Sequence, residues 1–487
     1  MERNSHIAVL GGGIAGLAAA YTVSKLARES GVDIRVSLYE KSGRIGGKLY
    51  TERDNGLLLE LGADSMLARK RAATELCEEL GLGDDLVGTG PDARRTYIVG
   101  DGVLHPFPAG TYMGIPVTES AIESCELLSA AGKRRALQDF TLPDGSPQDG
   151  SDESLGRALR RRLGDEMVDR IAEAVLSGIY GGALDEMSLL STFPEFRRAE
   201  REHGSVLRGF AELLARARSH ARGPAGKPGA GSVFVTLKSG LDSLVLRLAQ
   251  RLQDAAVTVA FDTEATGLRR RADGRYELSL RCNDSFRDVV CDGVIVAAPA
   301  YAAAEILRDS PNVAAVLAGI PYTSVTSLSF VCQEAEIAHK IDGSGFVVPR
   351  AEGMAITACT WVSAKWPHAS SDGEVILRCF LGRADGGEEM LASSDDELAE
   401  TAARDMRALI GYTGPPAPRR MARWKQAMPQ YGVGHPANMD ALDALLASEL
   451  PAVRVAGAAY RGVGISDVII GAQNAAREVF AGVASNL

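Results

Sequence analysis

Three glycines near the N-terminus constrain this chain more than any other feature. Gly11, Gly13 and Gly16 stand in the spacing G-x-G-x-x-G, with Gly12, Ile14 and Ala15 between them. Residues 7–10 before them are a short apolar run suited to a strand buried on both faces. From Leu17 onward the chain is rich in Ala and Leu, has no breaker, and reads as helix. In that setting each glycine has a mechanical task. Gly11 turns the strand sharply, Gly13 admits the close approach of a pyrophosphate, and Gly16 lets the helix pack on the strand. The free N–H groups and positive dipole end of the new helix then face the phosphates. Residues 34–39 form a second strand ending in Glu40, where an acid accepts hydrogen bonds from ribose hydroxyls. A tight turn without nucleotide accounts for the glycines alone; strand, helix and acid together indicate a dinucleotide.

The next segment, Ser42-Gly43-Arg44-Ile45-Gly46-Gly47-Lys48, resembles the R-x-G-G extension of glutathione-reductase-like and amine-oxidase-like flavoproteins. The resemblance implies that Arg44 and the backbone of Gly47 wrap a diphosphate, a contact that extended FAD needs and NAD does not. The expected fold is α/β, α+β overall. It has a Rossmann-like FAD-binding domain of glutathione-reductase/amine-oxidase type, an antiparallel-sheet substrate domain and a helical domain.

With 487 residues, 46% hydrophobic and 24% charged, the chain has room for two or three domains and a large core. Its net charge of −10 argues against nucleic acid as a partner and gives no general attraction to anionic membranes. Seven scattered cysteines, without C-x-x-C spacing, fit a reduced compartment better than zinc or a disulfide framework. The first apolar run is the nucleotide strand itself, so no signal peptide is expected, and no apolar stretch reaches eighteen residues. A cytoplasmic protein is expected, with peripheral contact at the inner face of the membrane left open.

Along the chain, residues 49–51 and 56–61 read as strands, and Glu60-Leu61-Gly62-Ala63-Asp64-Ser65 as a close-approach turn. The cations of 69–71 open a helix and suit either a solvated face or a pocket mouth. Residues 86–185 read as helical and amphipathic, with Pro106, Pro108 and Pro116 marking loops, membrane association open and a polar loop at 143–152. His105 and the basic clusters 133–135 and 160–162 are assigned to structure. Residues 176–182 are poor helix and odd strand, as cavity-lining segments often are. Residues 215–232 read as a mobile surface loop. A β-meander over 257–291 leads to a buried strand at 294–299, which returns the chain to the nucleotide domain. Strand patterns dominate 322–382, helices cover 395–410 and 438–449, and a strand, a glycine loop and a helix close the chain. The expected domains are 1–85, 233–305 and 420–487 for FAD; 86–185, helical; and 186–232 with 306–419 for substrate.

Read end to end, the chain resembles the porphyrinogen oxidases, most closely the coproporphyrinogen III oxidase type of Gram-positive bacteria. The carriers are residues 60–65, 177–181 (SGIYG), 189–194, 357–361, 365–368, 428–431 and 462–465. The resemblance implies flavin contacts at residues 11–16, Glu40, Gly47, Leu61, Gly62, Ala63, Asp64, Ala265, Trp424, Gly462, Val463 and Gly464. Two positions depart from the family: Ala265 stands where Val is common, and Ser466 where the closing loop often has Pro. No cysteine lies in the C-terminal region, so the cysteinyl–flavin link of monoamine oxidases is unavailable and FAD is expected to be non-covalent.

The implied chemistry removes six electrons from coproporphyrinogen III in three hydride steps, with O2 as acceptor and H2O2 released. No side-chain acid or base is assigned and no metal site is expected; the protein orients the macrocycle and holds the flavin. Ile179, Tyr180 and the 357–366 segment, with Trp361, are expected as cavity wall. Lys70 and Arg71 are candidate partners for the substrate's propionates. A ferrochelatase or another haem-pathway enzyme is an expected partner. The alternatives are protoporphyrinogen IX as substrate, a flavin amine oxidase, and a non-catalytic flavin- or porphyrin-binding protein.

Overall fold

A computed structural model of the chain describes residues 5–93, 95–221, 232–371, 373–383 and 387–485. Its organising element is a parallel five-stranded sheet, in the order Thr258–Ala260, Ile34–Tyr39, Ser5–Leu10, Gly293–Val296 and Val453–Val455. The central strand is buried along its whole length, because both sheet faces are covered. Ile7 and Val9 point into one core with helices Ile14–Ser30, Asp242–Asp254 and Ile465–Ala484. Ala8 and Leu10 point into the other, with helices Ala300–Ile306, Pro311–Ala318 and His435–Glu449 and the antiparallel meander Thr263–Arg270, Tyr276–Cys282, Ser285–Cys291. A continuous apolar run, rather than an alternating one, is what such a strand requires.

The second sheet has seven strands, in the order Arg420–Pro429, Tyr322–Gln333, Glu374–Leu381, Ile356–Trp361, Gly345–Val347, Tyr97–Gly100 and Val103–Pro106. All its pairings are antiparallel except that of Gly345–Val347 with Tyr97–Gly100. Helix Asp395–Ile410 seals one face with Leu398, Ala402, Met406 and Leu409. Its ends are written in the sequence: Ser394 and Glu397 form a capping box, and Gly411 closes the helix at φ +62°. Against the opposite face lies the hairpin Thr51–Asp54/Leu57–Glu60, through Leu57, Leu59 and Leu61.

Several expected boundaries change. Residues 86–116, read as helical, form five short strands instead. Pro106, Pro108 and Pro116 forbid helix there, and Asp101-Gly102 makes a two-residue hairpin with both φ positive (+52° and +76°). Residues 176–182 are less irregular than expected. Helix Glu173–Tyr180 runs through them and stops at Gly181, φ +69°. The expected surface loop at 215–232 begins inside helix Val206–Ala221, and 222–231 fall outside the described residues. Leu189, Phe193, Phe196 and Phe210, placed by sequence with the substrate sheet, share a core with residues 115–187. Strand Arg420–Pro429, placed with the nucleotide domain, is the edge of the seven-stranded sheet.

The helical region is fastened by a buried ion pair. Arg162 is 1% exposed and Asp139 fully buried. The Arg162 Nε donates to Asp139 Oδ1, while its other nitrogens reach Asp139 O (2.7 Å), Pro143 O (2.8 Å) and Gly204 O (2.9 Å). Asp139 Oδ2 accepts from Ser205 Oγ and from Leu207 N (2.9 Å). Asp139→Ala strands a buried cation and is expected to cost about 3–5 kcal/mol. Adding Arg162→Met should recover part of that loss in chemical unfolding; equal or greater damage in the double variant would contradict the pairing.

Candidate active site

The glycine-rich loop is built as its spacing demands. Gly11 N donates to Tyr39 O (2.8 Å) and Ala297 N to Leu10 O (2.7 Å), so the turn springs from the centre of the parallel sheet. A Cβ on Gly16 would lie 1.8 Å from Gly11 O, so the helix can pack here only without a side chain. That helix starts at Ile14 with Gly13 as N-cap, no side-chain cap and no acid in its first turn. Its first N–H groups are thus left for a ligand. The second glycine segment closes over the loop: Gly46 N donates to Gly12 O (2.8 Å), and a Cβ on Gly47 would come within 3.2 Å of Gly13 Cα. Arg44 reaches back to Gly47 O (2.8 Å) and lies over the Tyr50 ring, 4.3 Å from its centroid. Glu40 Oε2 accepts from Gly12 N (2.6 Å), and Oε1 from Ser42 N and Oγ (2.8 and 2.7 Å). Thr263 N donates to Glu40 O (2.9 Å), which brings the strand carrying Ala265 alongside. An uncapped helix start facing a side-chain-free cradle fits a diphosphate.

The 61–64 turn is pinned from two sides. Leu61 N and Ala63 N donate to Tyr50 O and Lys48 O (2.8 and 3.1 Å), and a Cβ on Gly62 would fall 1.8 Å from Lys48 O. From the seven-stranded sheet, Trp424 Nε1 (2.8 Å) and Ser327 Oγ (3.1 Å) donate to Leu61 O, and Arg378 Nη2 (2.5 Å) to Gly62 O. Lys48 itself donates to Ala427 O, and burial pushes its ammonium down to about 8. Asp64 pairs with Lys365 (2.9 Å). Against the effect of burial, the charges of Lys365 and Arg378 hold the Asp64 carboxyl well below the usual range. Sequence reasoning missed Arg378. The available signal was a charge inside the apolar strand Val-Ile-Leu-Arg-Cys-Phe-Leu.

The closing loop is held by Tyr431. Its hydroxyl donates to Ala458 O (2.6 Å) and accepts from Gly462 N (2.8 Å), and its ring stacks on His435 at 4.2 Å. Gly462 sits at φ +137°, with Asp467 Cβ 2.5 Å from where its own Cβ would be. Helix Ile465–Ala484 starts behind Gly464 without a side-chain cap, and Val463 packs against the helical core. Ser466 donates to Lys70 O (2.6 Å) and accepts from Ala73 N (3.2 Å).

The sequence-derived substrate residues divide. Ile179 is 43% exposed, while Tyr180 is buried, donates to Thr192 O (3.3 Å) and lies 5.7 Å from the Tyr431 ring. Burial, helped by the charge of Asp467, pushes the Tyr180 phenol up. Trp361, expected in the cavity wall, is fully buried among Tyr97, Phe346 and the residues under helix Asp395–Ile410. The alternation of strand Ile356–Trp361, shifted by an irregularity between Ile356 and Ala358, puts Cys359 and Trp361 on the core side and leaves Thr360 half-buried. Lys70 is bound by Asp467 at 2.6 Å, and Arg71 by Glu75 and Glu78 at 3.3 and 3.5 Å.

Glu60 accepts from Leu241 N and Thr51 Oγ1 (both 2.7 Å), and burial pushes its carboxyl up to about 7 from 4.5. The folded state therefore binds the extra proton between those values, and the stability it contributes is lost as pH rises through about 7. Relative to the native chain, Glu60→Gln should gain on the order of 1–3 kcal/mol between about pH 5 and about pH 8. Thermal unfolding across that range measures it. A gap between the two chains that does not change with pH would mean that Glu60 is ionised throughout.

Comparison with known proteins places this architecture. The family model for flavin-containing amine oxidoreductases matches residues 14–480. Coproporphyrinogen III oxidase of Bacillus subtilis (strain 168) is 37% identical over 468 residues, covering 96% of each chain. Coproporphyrinogen III oxidase of Staphylococcus aureus is 33% identical, covering 98% of this chain and 99% of that one. A crystal structure from Exiguobacterium sp. 255-15, described as a protoporphyrinogen oxidase, superposes with a TM-score of 0.83 at 30% identity, covering 98% of this chain and 99% of the other. Among the described residues no helix is long and apolar enough to cross a membrane. The chain belongs to the flavin-containing amine oxidoreductase family, in the branch that holds the coproporphyrinogen III oxidases, and it is a flavin-dependent oxidoreductase.

Proposed function

We propose that this chain oxidises coproporphyrinogen III to coproporphyrin III for haem biosynthesis, using non-covalent FAD, with O2 as acceptor and H2O2 as by-product. The observation that carries the reading is the end-to-end likeness to two coproporphyrinogen III oxidases. That likeness covers 96% and 98% of the chain, and the family match runs from residue 14 to residue 480. The reading places the enzyme in the cytoplasm, peripheral at most to the membrane, with a ferrochelatase or similar enzyme taking its product.

FAD, when bound, supplies the two-electron acceptor. The uncapped N–H groups at Ile14–Ser30 and the Arg44 cation would hold its diphosphate. Glu40 keeps acceptor capacity for ribose hydroxyls, since its carboxylate has about four lone-pair sites and three are in use. The second uncapped helix start, behind Gly464, would stabilise negative charge on the reduced ring. Electron-rich pyrroles need no strong protein base, so the chain's work is to orient the macrocycle against Ile179 and to keep the turn and closing loop rigid. Lys70 is the candidate rim cation; a substrate carboxylate reaching it competes with Asp467.

Parallel aerobic assays on coproporphyrinogen III and protoporphyrinogen IX, following porphyrin fluorescence and peroxide, test the reading. A much larger kcat/KM for the first is expected, with about three peroxides per porphyrin for the six electrons removed. Preference for the second would move the enzyme to the protoporphyrin branch, and turnover of amines instead would make it an amine oxidase. Heat or acid should release all the flavin as free FAD. Trp424→Phe, which removes one donor to Leu61 O, should weaken FAD binding about 3- to 10-fold.

A further inference from the structure

At the 61–64 turn lies a group of buried and half-buried charges whose electrostatic effect the function above leaves unassigned. Arg378 sits in strand Glu374–Leu381, where its neighbours Val375, Ile376, Leu377 and Cys379 are buried and apolar. Its guanidinium is buried, donates to Gly62 O and lies over the Phe380 ring, 4.7 Å from Cζ to centroid. Its Nε finds no acceptor among the described residues. Asp64 and Glu60 oppose its charge through space and line one small pocket with it. Lys365 completes the group, its ammonium on Asp64 and over the rings of Phe234 and Trp366 at 5.1 and 5.2 Å.

Stability alone does not explain this arrangement. A buried guanidinium with one hydrogen bond is costly, and an apolar residue of similar volume is commonly neutral or better at such a place. Two facts tie the charge to the turn. The Leu61 and Gly62 carbonyls are fixed by three donors from the sheet, and Arg378 is the charged one. Asp64, of opposite charge, belongs to the turn itself.

We propose that Arg378 and Asp64 are positioning residues for the flavin: Arg378 sets the Gly62 peptide, and the two opposite charges set the reduction potential of the bound flavin in opposite senses. This rests on the reading of residues 61–64 as a flavin contact. A reduced flavin carries negative charge, so a cation behind the turn favours reduction and an anion opposes it. The field acts at short range because Arg378 is buried and only 22% of the Asp64 side chain and 12% of the Lys365 side chain are exposed.

The test is the two-electron midpoint potential of the bound flavin, read against a reference dye in native protein and single variants. Arg378→Gln keeps an N–H donor without the charge, and should lower the reduction equilibrium constant about tenfold, about 30 mV for a two-electron couple. Lys365→Met should move it the same way. Asp64→Asn, which removes the carboxylate paired with Lys365 and leaves only Glu60 opposite Arg378, should move it the other way by a similar factor. Arg378→Lys keeps the charge but not the fork that reaches Gly62 O. It should hold the potential near the native value while weakening FAD binding.

Reduction equilibrium constants that stay within twofold of native, about 9 mV in potential, or potentials that move in the same sense for Arg378→Gln and Asp64→Asn, would overturn the proposal. If Arg378→Gln fails to fold, the opposed shifts of Lys365→Met and Asp64→Asn decide the matter. A native protein that purifies and reconstitutes without any flavin spectrum would overturn the flavin reading itself, which is a distinct result.

Discussion

The structure depends on how one short turn is shared between two sheets. Residues 61–64 follow the hairpin that packs on the seven-stranded sheet, yet their N–H groups answer to carbonyls at 48–50, just past the glycine segment that closes the nucleotide loop. Their carbonyls answer to Ser327, Arg378 and Trp424, on the edge strand of the other sheet and the two strands next to it. Lys48 adds a further tie to strand Arg420–Pro429. Moving either sheet relative to the other breaks several bonds to one turn, so the position of one sheet defines that of the other. A cofactor that spans the glycine loop and this turn thereby gains a rigid seat without any wall of its own. Such rigidity is what a reaction relying on orientation rather than on acid–base groups requires.

Much of this was legible in the sequence because the relevant residues speak locally. Gly11, Gly13, Gly16 and Glu40 carry a spacing whose mechanics are fixed by backbone contact, and the 395–410 helix announces both of its ends. In the 86–116 region the prolines mark breaks, as read, but the segments between them are too short and too tightly turned at Asp101-Gly102 for helix and pair as strands instead. Trp361 failed for another reason. Its strand alternates, but a register irregularity decides which face receives the indole, and no local pattern reports that. Tyr431 and Ser466 make contacts across the fold, to Gly462 and to Lys70 and Ala73, which follow only from the packing of distant segments.

Ser466 stands in the first turn of the closing helix, where the resemblance leads one to expect proline. Proline suits the first turn of a helix because its missing N–H is not needed there. A serine gives up that preset geometry but gains a hydroxyl, and here the hydroxyl bridges Lys70 O and Ala73 N at the start of helix Ala72–Glu79. Together with the Lys70–Asp467 pair it binds that helix to the start of the closing one. Rigidity that proline would supply from within the chain is supplied by a contact between chain segments. The same contact explains why Lys70, an attractive free cation in sequence, is engaged.

Two buried arginines in this chain make opposite use of the same side chain. Arg162 is saturated: its nitrogens meet a carboxylate and several carbonyls, and it joins loops that have no sheet to order them. A cation so fully bonded acts as a fastener, and its charge is cancelled within the first contact. Arg378 is under-bonded, and its counter-charges stand off behind the turn or within it. Ser329 is its cross-strand partner and Ser327 lies two residues on, so this patch is polar where most of the sheet interior is apolar. Polar residues buried under an otherwise apolar sheet cost stability unless they are hydrogen-bonded or paired, and the side chains of Ser327 and Arg378 find their acceptors in the 61–64 turn. Both side chains reach the backbone of that turn, so the charge of Arg378 stands directly behind whatever lies against it.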